Sequence, residues 1–355
     1  MTRPQPIKTA LCAFGMSGRV FHAPLLRAHP QFQLTHICQR SPREAGYPGP
    51  EVAVVDKIDK LIHHPDIELI VVNTPDYTHA EFAARALEAG KHVVIEKPMT
   101  LTSAEADPLI DLAQKHERVL SVFQNRRWDA DFLTVQKILK EGALGRLVSY
   151  RGTYQRFRPT VKDSWKEKPQ AGASIVFNLG SHLIDQACVL FGRPEWVWAD
   201  IRKTRTDSQV PDFAEIHLGY PETQVVLNMG YLYRITAPKF ALHGEHGSYV
   251  KYGEDPQEAA LAKGEKPTGE LWGAEPESAW GNLDTHWNGL SFVGKVPSIQ
   301  GNYRAYYDDL AVAIREGRQS IVTAQQARQT IELIEYAYQA SESGSRVMVP
   351  QMTAR

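Results

Sequence analysis

The 355-residue sequence predicts two domains: an α/β domain with a doubly wound parallel sheet over residues 1–125, and an α+β domain with an open, largely antiparallel sheet over 126–355. Three observations predict this. Through the first 125 residues, strand-like and helix-like runs take turns, as they do in βαβ units. The apolar runs there are nearly continuous, as in strands covered on both faces. Beyond residue 125, strand-like segments follow one another closely and are rich in Tyr, Val and Trp, the pattern of an antiparallel sheet.

The strand-like runs of the first domain are 8–14, 32–38, 68–73, 91–95 and 118–123. HAEFAARALEAG, between two of them, reads as a helix ending on Gly90, the residue type that tolerates a helix C-terminus. Thr102, with Glu105 three residues on, predicts a capping box for a helix striped by Leu109, Leu112 and Ala113. A helix is expected over 129–141, then strands at 147–157, 195–203, 211–219, 223–233 and 238–243. Residues 253–300, with many Gly, Pro and charged residues and scattered Trp272, Trp280 and Trp287, read as a long irregular excursion suited to a lid or a subunit contact. Two helices close the chain, the last capped by Thr323 with Gln326 and striped by Ala327, Ile331, Ile334 and Tyr338.

The 40 basic and 41 acidic residues nearly cancel, which argues against nucleic acid or a charged membrane surface as partner. Three widely spaced cysteines, Cys12, Cys38 and Cys188, with no Cys-x-x-Cys pair, fit a reducing compartment. No run of 18 apolar residues and no signal-type apolar segment stands in the sequence, so a cytoplasmic location is expected. His243-Gly-Glu245-His246 lacks the His-Glu-x-x-His spacing, and no metal site is expected.

LCAFGMSGRVFHAPLL (11–26) joins the first strand to the first helix and holds the chemistry-bearing turn. A dinucleotide fingerprint there is Gly-x-Gly-x-x-Gly: one glycine for the turn, one to let pyrophosphate reach the backbone, one for close helix–strand packing. Here the three positions are Ala13, Gly15 and Gly18. Alanine is tolerable at the first if its φ stays negative. At the end of the second strand, where an acid would bind a free ribose 2′-hydroxyl, the sequence reads Cys38-Gln39-Arg40-Ser41. A guanidinium and a hydroxyl suit a 2′-phosphate, which favours NADP(H) over NAD(H).

GKHVVIEKPMT (90–100) carries a resemblance that extends over FHAPLL (21–26), TPDYTHAEFA (74–83), VFQNRRWDADFLT (122–134), RFRP (156–159), LGSHLIDQA (179–187), HGEHGSYVKYGEDPQE (243–258) and GNYRAYYDDL (301–310). Together these stretches resemble the Gfo/Idh/MocA oxidoreductases, in the bacterial branch that includes NADP-dependent scyllo-inositol dehydrogenases. The resemblance implies a Rossmann domain whose Glu-Lys-Pro, here Glu96-Lys97-Pro98, turns a lysine toward the nicotinamide through a Lys-Pro peptide that is commonly cis. A lysine partly desolvated beside a cationic ring should have its pKa drawn down toward the range of a general acid/base. The cofactor side is completed by Phe14, Ser17 and Arg19 in the glycine turn and, within the matching stretches, by Thr74, Pro75, His79, Glu96 and Asn125.

The resemblance also implies a second cluster on FNLGSHLIDQA, where Asn178, His182 and Asp185 at i, i+4 and i+7 would share one face of a helix. Asn178 stands where the family has an aspartate. An amide neither takes a proton nor steadies an imidazolium, so His182 should be less basic and Lys97 should carry more of the proton transfer. Arg127, Tyr154, Arg156, Arg158 and Trp165 supply hydrogen-bond partners and aromatic faces for a polyol, cyclitol or sugar, and the loop 158–172 is expected to close over it. The expected activity is NADP(H)-dependent interconversion of a secondary alcohol and a ketone by a homodimer or homotetramer formed through the second sheet. Two other readings remain open: a redox-neutral, nicotinamide-dependent glycoside-cleaving enzyme, and a non-catalytic NADP-binding sensor, which Asn178 supports.

Overall fold

The computed structural model describes residues 5–39 and 49–351. Arg40 and Ser41, on which the 2′-phosphate expectation rests, lie outside the described residues.

Six parallel strands form the first sheet: β1 (Ile7–Leu11), β2 (Phe32–Cys38), β3 (Ala53–Val55), β4 (Leu69–Val72), β5 (His92–Ile95) and β6 (Leu120–Val122). Their order, β3-β2-β1-β4-β5-β6, is that of a doubly wound dinucleotide fold, with the reversal of winding between β1 and β4. Every residue of β4 is buried, as the unbroken apolar run predicts. The sequence reading missed β3, three residues long and largely exposed, because it lacks that apolar signature.

Helices α1 (Ala23–Ala28), α2 (Asp59–Ile62), α3 (His79–Glu88) and α4 (Ser103–Lys115) alternate with these strands. Gly90 stops α3 with φ +75°. Its N–H donates to Leu87 O and that of Lys91 to Ala86 O, so the last carbonyls are satisfied by the two bonds of a Schellman turn. The Thr102/Glu105 capping box that starts α4 is formed in both directions.

The second sheet has nine strands in the order β14-β13-β12-β11-β7-β10-β9-β8-β15. They are β7 (Leu147–Gln155), β8 (Trp196–Arg202), β9 (Phe213–Gly219), β10 (Gln224–Gly230), β11 (Phe240–Gly244), β12 (Gly247–Lys251), β13 (Gly281–Trp287), β14 (Leu290–Val296) and β15 (Val347–Met348). All pairs are antiparallel except β7 with β10. Helices α5 (Ala130–Lys140) and α6 (Ser181–Phe191) belong with this sheet. The chain closes with α7 (Gln257–Ala262), α8 (Arg304–Glu316) and α9 (Ala324–Ser343).

One correction follows. Residues 253–300 are not an irregular excursion: they hold α7 and the hairpin β13–β14, closed at Asn288-Gly289 with φ of +51° and +79°. By its contacts the chain divides into two compact units, each drawn from several stretches of sequence. One compact unit takes the chain up to Trp128 together with 256–273 and 302–329; the other takes 129–255, 274–301 and 330 onward.

The physical reason is a set of returns to Trp128. Its carbonyl accepts from Gln257 Nε2 at 3.2 Å and Asn302 N at 3.0 Å, and the buried Gln257 accepts from Tyr303 N at 2.8 Å. Tyr303, Tyr306 and Tyr307 are almost fully buried, against Phe21, Phe123 and His22. Each such ring stabilises by ~2–3 kcal/mol, enough to hold α8 on the first unit.

The second unit buries an unusual charge. Asp131 on α5 is fully buried, and neither of its carboxylate oxygens has a hydrogen-bond partner among the described residues. Burial pushes its carboxyl up to about 6, with Lys239 and Lys251 opposing and Asp255 and Glu275 adding to the rise. The neighbouring Lys251 and Glu275, both buried, pair at 3.0 Å.

A carboxyl raised in the fold stabilises it most below the unfolded value near 3.8 and loses that contribution as pH climbs through about 6. Unfolding titrations at pH 4 and pH 7 should therefore show the parent losing roughly 2–3 kcal/mol relative to Asp131→Asn between the two. Parallel pH curves for the two proteins would contradict the buried charge.

Candidate active site

The winding reversal between β1 and β4 is built by one side-chain amide. Asn73, the first residue after β4, accepts from Ala13 N at 2.9 Å and donates to Ala13 O at 2.8 Å. This two-point clamp fixes the turn where a first glycine was expected. Among the described residues, positive φ outside glycine occurs at Glu117 and Asn288, so Ala13 meets the condition set for it.

Gly18 faces the same clamp. A Cβ on it would stand 2.6 Å from Ala13 O and 3.0 Å from Asn73 Nδ2, so glycine is required for close approach. Gly15, by contrast, has nothing within 4 Å of a would-be Cβ, leaving open space over its backbone. A helical run follows, opening through a π-turn at Gly18–His22 in which Ala23 N–H reaches back to Gly18 O. Phe14 is buried, and the exposed Arg19 sets its Nε 3.4 Å from Gly15 O.

At the end of β5, a hydrogen-bonded chain leads to Lys97. Tyr307 hydroxyl and His22 Nδ1 are 2.7 Å apart, and His22 Nε2 lies 3.0 Å from Glu96 Oε1. Burial pushes the Tyr307 hydroxyl far up, so it stays protonated and donates. That leaves Nε2–H to donate to the carboxylate. Glu96 Oε2 in turn accepts the Lys97 backbone N–H at 3.1 Å. Burial alone would raise the Glu96 carboxyl, but the His22 hydrogen bond and the Lys97 ammonium hold it at about 2.

The Lys97–Pro98 peptide is cis, as the resemblance implied, and Lys97 is half-buried. His79 ties the turn in place, with Nδ1 2.8 Å from Pro98 O and Nε2 2.9 Å from Thr74 O. Thr74 Oγ1 sits 2.6 Å from Thr78 Oγ1, and the Pro75 carbonyl accepts from Thr78 Oγ1 at 2.6 Å. Asn125 is buried at the head of a short 3-10 turn.

Arg127, expected beside the substrate, is buried and spans to Gln326 Oε1 at 2.9 Å and Ile321 O at 3.4 Å. It holds the segment leading into α9.

The second cluster belongs to the other unit. Asn178 lies in a π-turn, Val176–Gly180, that runs into α6, while His182 and Asp185 lie in α6 itself and are buried. The wide turn changes the phase between Asn178 and the other two, so the i, i+4, i+7 spacing does not describe a regular helix face. Tyr154 packs near His182, with ring centroids 6.4 Å apart, under the ammonium of Lys239. Arg156 is engaged by Glu254 through three contacts of 3.0–3.2 Å. Arg158 and Asn178 line one cavity with Lys166 and Arg205. Trp165 opens a short 3-10 turn in the loop 158–172.

Sequence reasoning missed Asn73, His22, Tyr307, Lys166 and Arg205. A polar residue closing the apolar run LIVV was the signal for Asn73. For Lys166 and Arg205 there was none.

The residues present fit a dinucleotide: a glycine turn whose third position admits no Cβ, open space over Gly15, and helical N–H groups following at the carboxyl end of the sheet. Gly18→Ala should lower the melting stability by about 1–3 kcal/mol and weaken nicotinamide dinucleotide binding, because the obstacle is backbone. Gly15→Trp should fold but no longer bind the dinucleotide. Thermal melts and fluorescence titration read the two effects separately, and a Gly18→Ala protein that melts and binds like the parent would refute the close approach.

Two family descriptions match the chain: an oxidoreductase family NAD-binding Rossmann fold over residues 7–124, and that family's C-terminal alpha/beta domain over 136–349. The chain is 37% identical over 343 residues to scyllo-inositol 2-dehydrogenase (NADP(+)) IolW of Bacillus subtilis, covering 97% of this chain and 96% of the relative. The solved structure of yvaA from Bacillus subtilis superposes with a TM-score of 0.94 at 36% identity, covering 99% of this chain and all of that one. A solved protein from Bacteroides fragilis superposes at 0.89 with 45% identity, over 97% of this chain and 100% of that one. With both halves matched, in order and over nearly the whole length, the chain belongs to the Gfo/Idh/MocA oxidoreductase family.

Proposed function

We propose that this protein is an NADP(H)-dependent dehydrogenase that interconverts a secondary alcohol and a ketone on a polyol, cyclitol or sugar. The observation that carries this reading is the chain Tyr307–His22–Glu96 ending on the backbone N–H of Lys97, which holds a half-buried lysine at the carboxyl end of the parallel sheet. Preference for NADP(H) is supported by the relative's name, and by the absence of an acid in Cys38-Gln39-Arg40-Ser41. The turn Ala13–Gly18 would hold the pyrophosphate, and Arg40 with Ser41 the 2′-phosphate.

When bound, the nicotinamide supplies or takes up the hydride. Lys97 Nζ exchanges the hydroxyl proton: its free-base form accepts it in the oxidation direction, and its ammonium returns it in reduction. Glu96 holds the lysine's backbone through its N–H. His182 orients the substrate oxygen and shares the proton in part. Asn178, being an amide, can donate or accept a hydrogen bond but cannot carry the proton. That feature favours a second reading, a nucleotide-binding sensor, against which the Lys97 network argues.

Lys97→Ala should lower the maximal rate by ~10²–10⁴-fold while NADPH affinity stays at the parent value. Steady-state rates at the nicotinamide absorbance band, beside fluorescence titration of NADPH, separate the two. An unchanged rate removes Lys97 from the mechanism, and tight NADPH binding without turnover on any inositol, inosose or aldose favours the sensor.

Self-association through the second sheet belongs to the same proposal, with a second copy of the chain as partner. It is supported by the edge strand β14, which presents Leu290 at 72% and Val293 at 78% exposure. Val293→Lys should reduce the sedimenting mass toward that of one chain, and a parent that already sediments as a monomer would end this part of the proposal.

A further inference from the structure

Within the first unit, one side chain ties the loop after β4 to the turn after β5: His79, the first residue of α3. Its ring is 1% exposed. Nδ1 lies 2.8 Å from Pro98 O, and Nε2 lies 2.9 Å from Thr74 O. A carbonyl oxygen can only accept, and a neutral imidazole has one N–H and one bare nitrogen. Two carbonyls therefore call for two N–H groups, which the imidazolium alone has. With a neutral ring, in either tautomer, a nitrogen lone pair would face an oxygen lone pair inside the protein.

Other histidines of the same unit are held differently. His29 accepts Gln31 N at Nδ1, His22 accepts the Tyr307 hydroxyl at Nδ1, and His92 accepts Val119 N at Nδ1. Each of these has a donor for its bare nitrogen, as a neutral ring requires. Both nitrogens of His79 face acceptors.

A buried cation needs negative charge around it. Because α3 starts at His79, the helix dipole opposes the charge. Against the dipole stand the two carbonyls and the carboxylates of the turns that carry them: buried Asp76, three residues before His79, and Glu96, two residues before Pro98. Lys97 is the cation on the same turns.

We propose that His79 is a positioning residue that works as an imidazolium. Its two N–H bonds fix the turn of Lys97 against the loop that follows the Asn73 clamp, so both loops are preset before the dinucleotide binds. The consequence for binding rests on the dinucleotide reading, whereas the charge on the ring can be read with no ligand present.

Long-range proton–nitrogen correlation spectra of the ligand-free full chain, labelled with ring-15N histidine, test the charge. The His79 signals are assigned by ring-proton contacts to Thr74 and Pro98. Both nitrogens should resonate as protonated nitrogens at neutral pH. Fluorescence titration with NADPH reads the consequence. His79→Gln, neutral and short of one donor direction, should bind NADPH about tenfold more weakly, the worth of one hydrogen bond to a charged group. His79→Lys, which keeps the charge and several donors, should recover part of that loss, which a role in packing alone would not allow.

A bare nitrogen on His79 at neutral pH overturns the proposal. So does a His79→Gln protein that binds NADPH like the parent, or a His79→Lys protein no better than His79→Gln. Should the variants fail to fold, the parent decides alone: its NADPH affinity should weaken at the alkaline pH where the spectra show a ring proton leaving, and an affinity unchanged across that step refutes the positioning role. A parent that binds no nicotinamide dinucleotide while both ring nitrogens carry protons would instead refute the dinucleotide reading, taking the positioning role with it and leaving the charge.

Discussion

The buried carboxylate of Glu96 is the group on which the nucleotide unit's working end depends. A carboxylate taken out of water is costly unless compensated, and here it is compensated from two directions: the His22 imidazole, and the Lys97 backbone and ammonium. Each partner belongs to a different part of the chain. One charge thus locks the start of the first helical run, the end of β5 and, through Tyr307, helix α8 into one relation. That is why a helix about two hundred residues downstream folds as part of the nucleotide unit.

The clamp at the winding reversal follows a different logic. Glycine at position 13 would give the backbone freedom that the turn then has to lose. Alanine with a two-point amide from Asn73 removes that freedom twice, once in the residue and once in the hydrogen bonds. The cost is passed to Gly18, which must come so close to Ala13 O that no side chain fits. The departure from the Gly-x-Gly-x-x-Gly pattern is therefore compensated by Asn73, one residue past the last strand position of β4.

Local signals made much of this legible. Both capping boxes, Thr102/Glu105 and Thr323/Gln326, are read within four residues and are formed. The continuous apolar runs LIVV and HVVI gave the central parallel strands because burial on both faces is a property of the run itself. The hairpin β13–β14 was legible and overlooked: Asn288-Gly289 is the strongest short hairpin signal, but it was masked by the surrounding Gly, Pro and charge. The returns of Gln257, Tyr303 and Tyr307 to the first unit had no local signal, since each depends on a partner more than a hundred residues away: Trp128, Phe21 and His22. The same holds for the candidate site, where Lys97 is marked by its tripeptide while Lys166 and Arg205 are ordinary loop cations until the fold assembles their cavity.

Both candidate sites sit where a helix opens through a π-turn, Gly18–His22 in one unit and Val176–Gly180 in the other. In a regular helix, positions 18 and 22 would lie one above the other on a single face. The first π-turn asks two things of that region that one face cannot give. Gly18 must press against the Ala13–Asn73 clamp, while His22 must reach between Tyr307 and Glu96. An i→i+5 turn, closed by Ala23 N–H on Gly18 O, rotates the following residues relative to the preceding ones and meets both demands without breaking the helix. In the second unit the same device falls between Asn178, which lines the cavity with Lys166 and Arg158, and His182, packed beside Tyr154. It sets Asn178 and His182 out of the phase that a regular helix start would give them, as the first does for Gly18 and His22, and the helix continues unbroken beyond it.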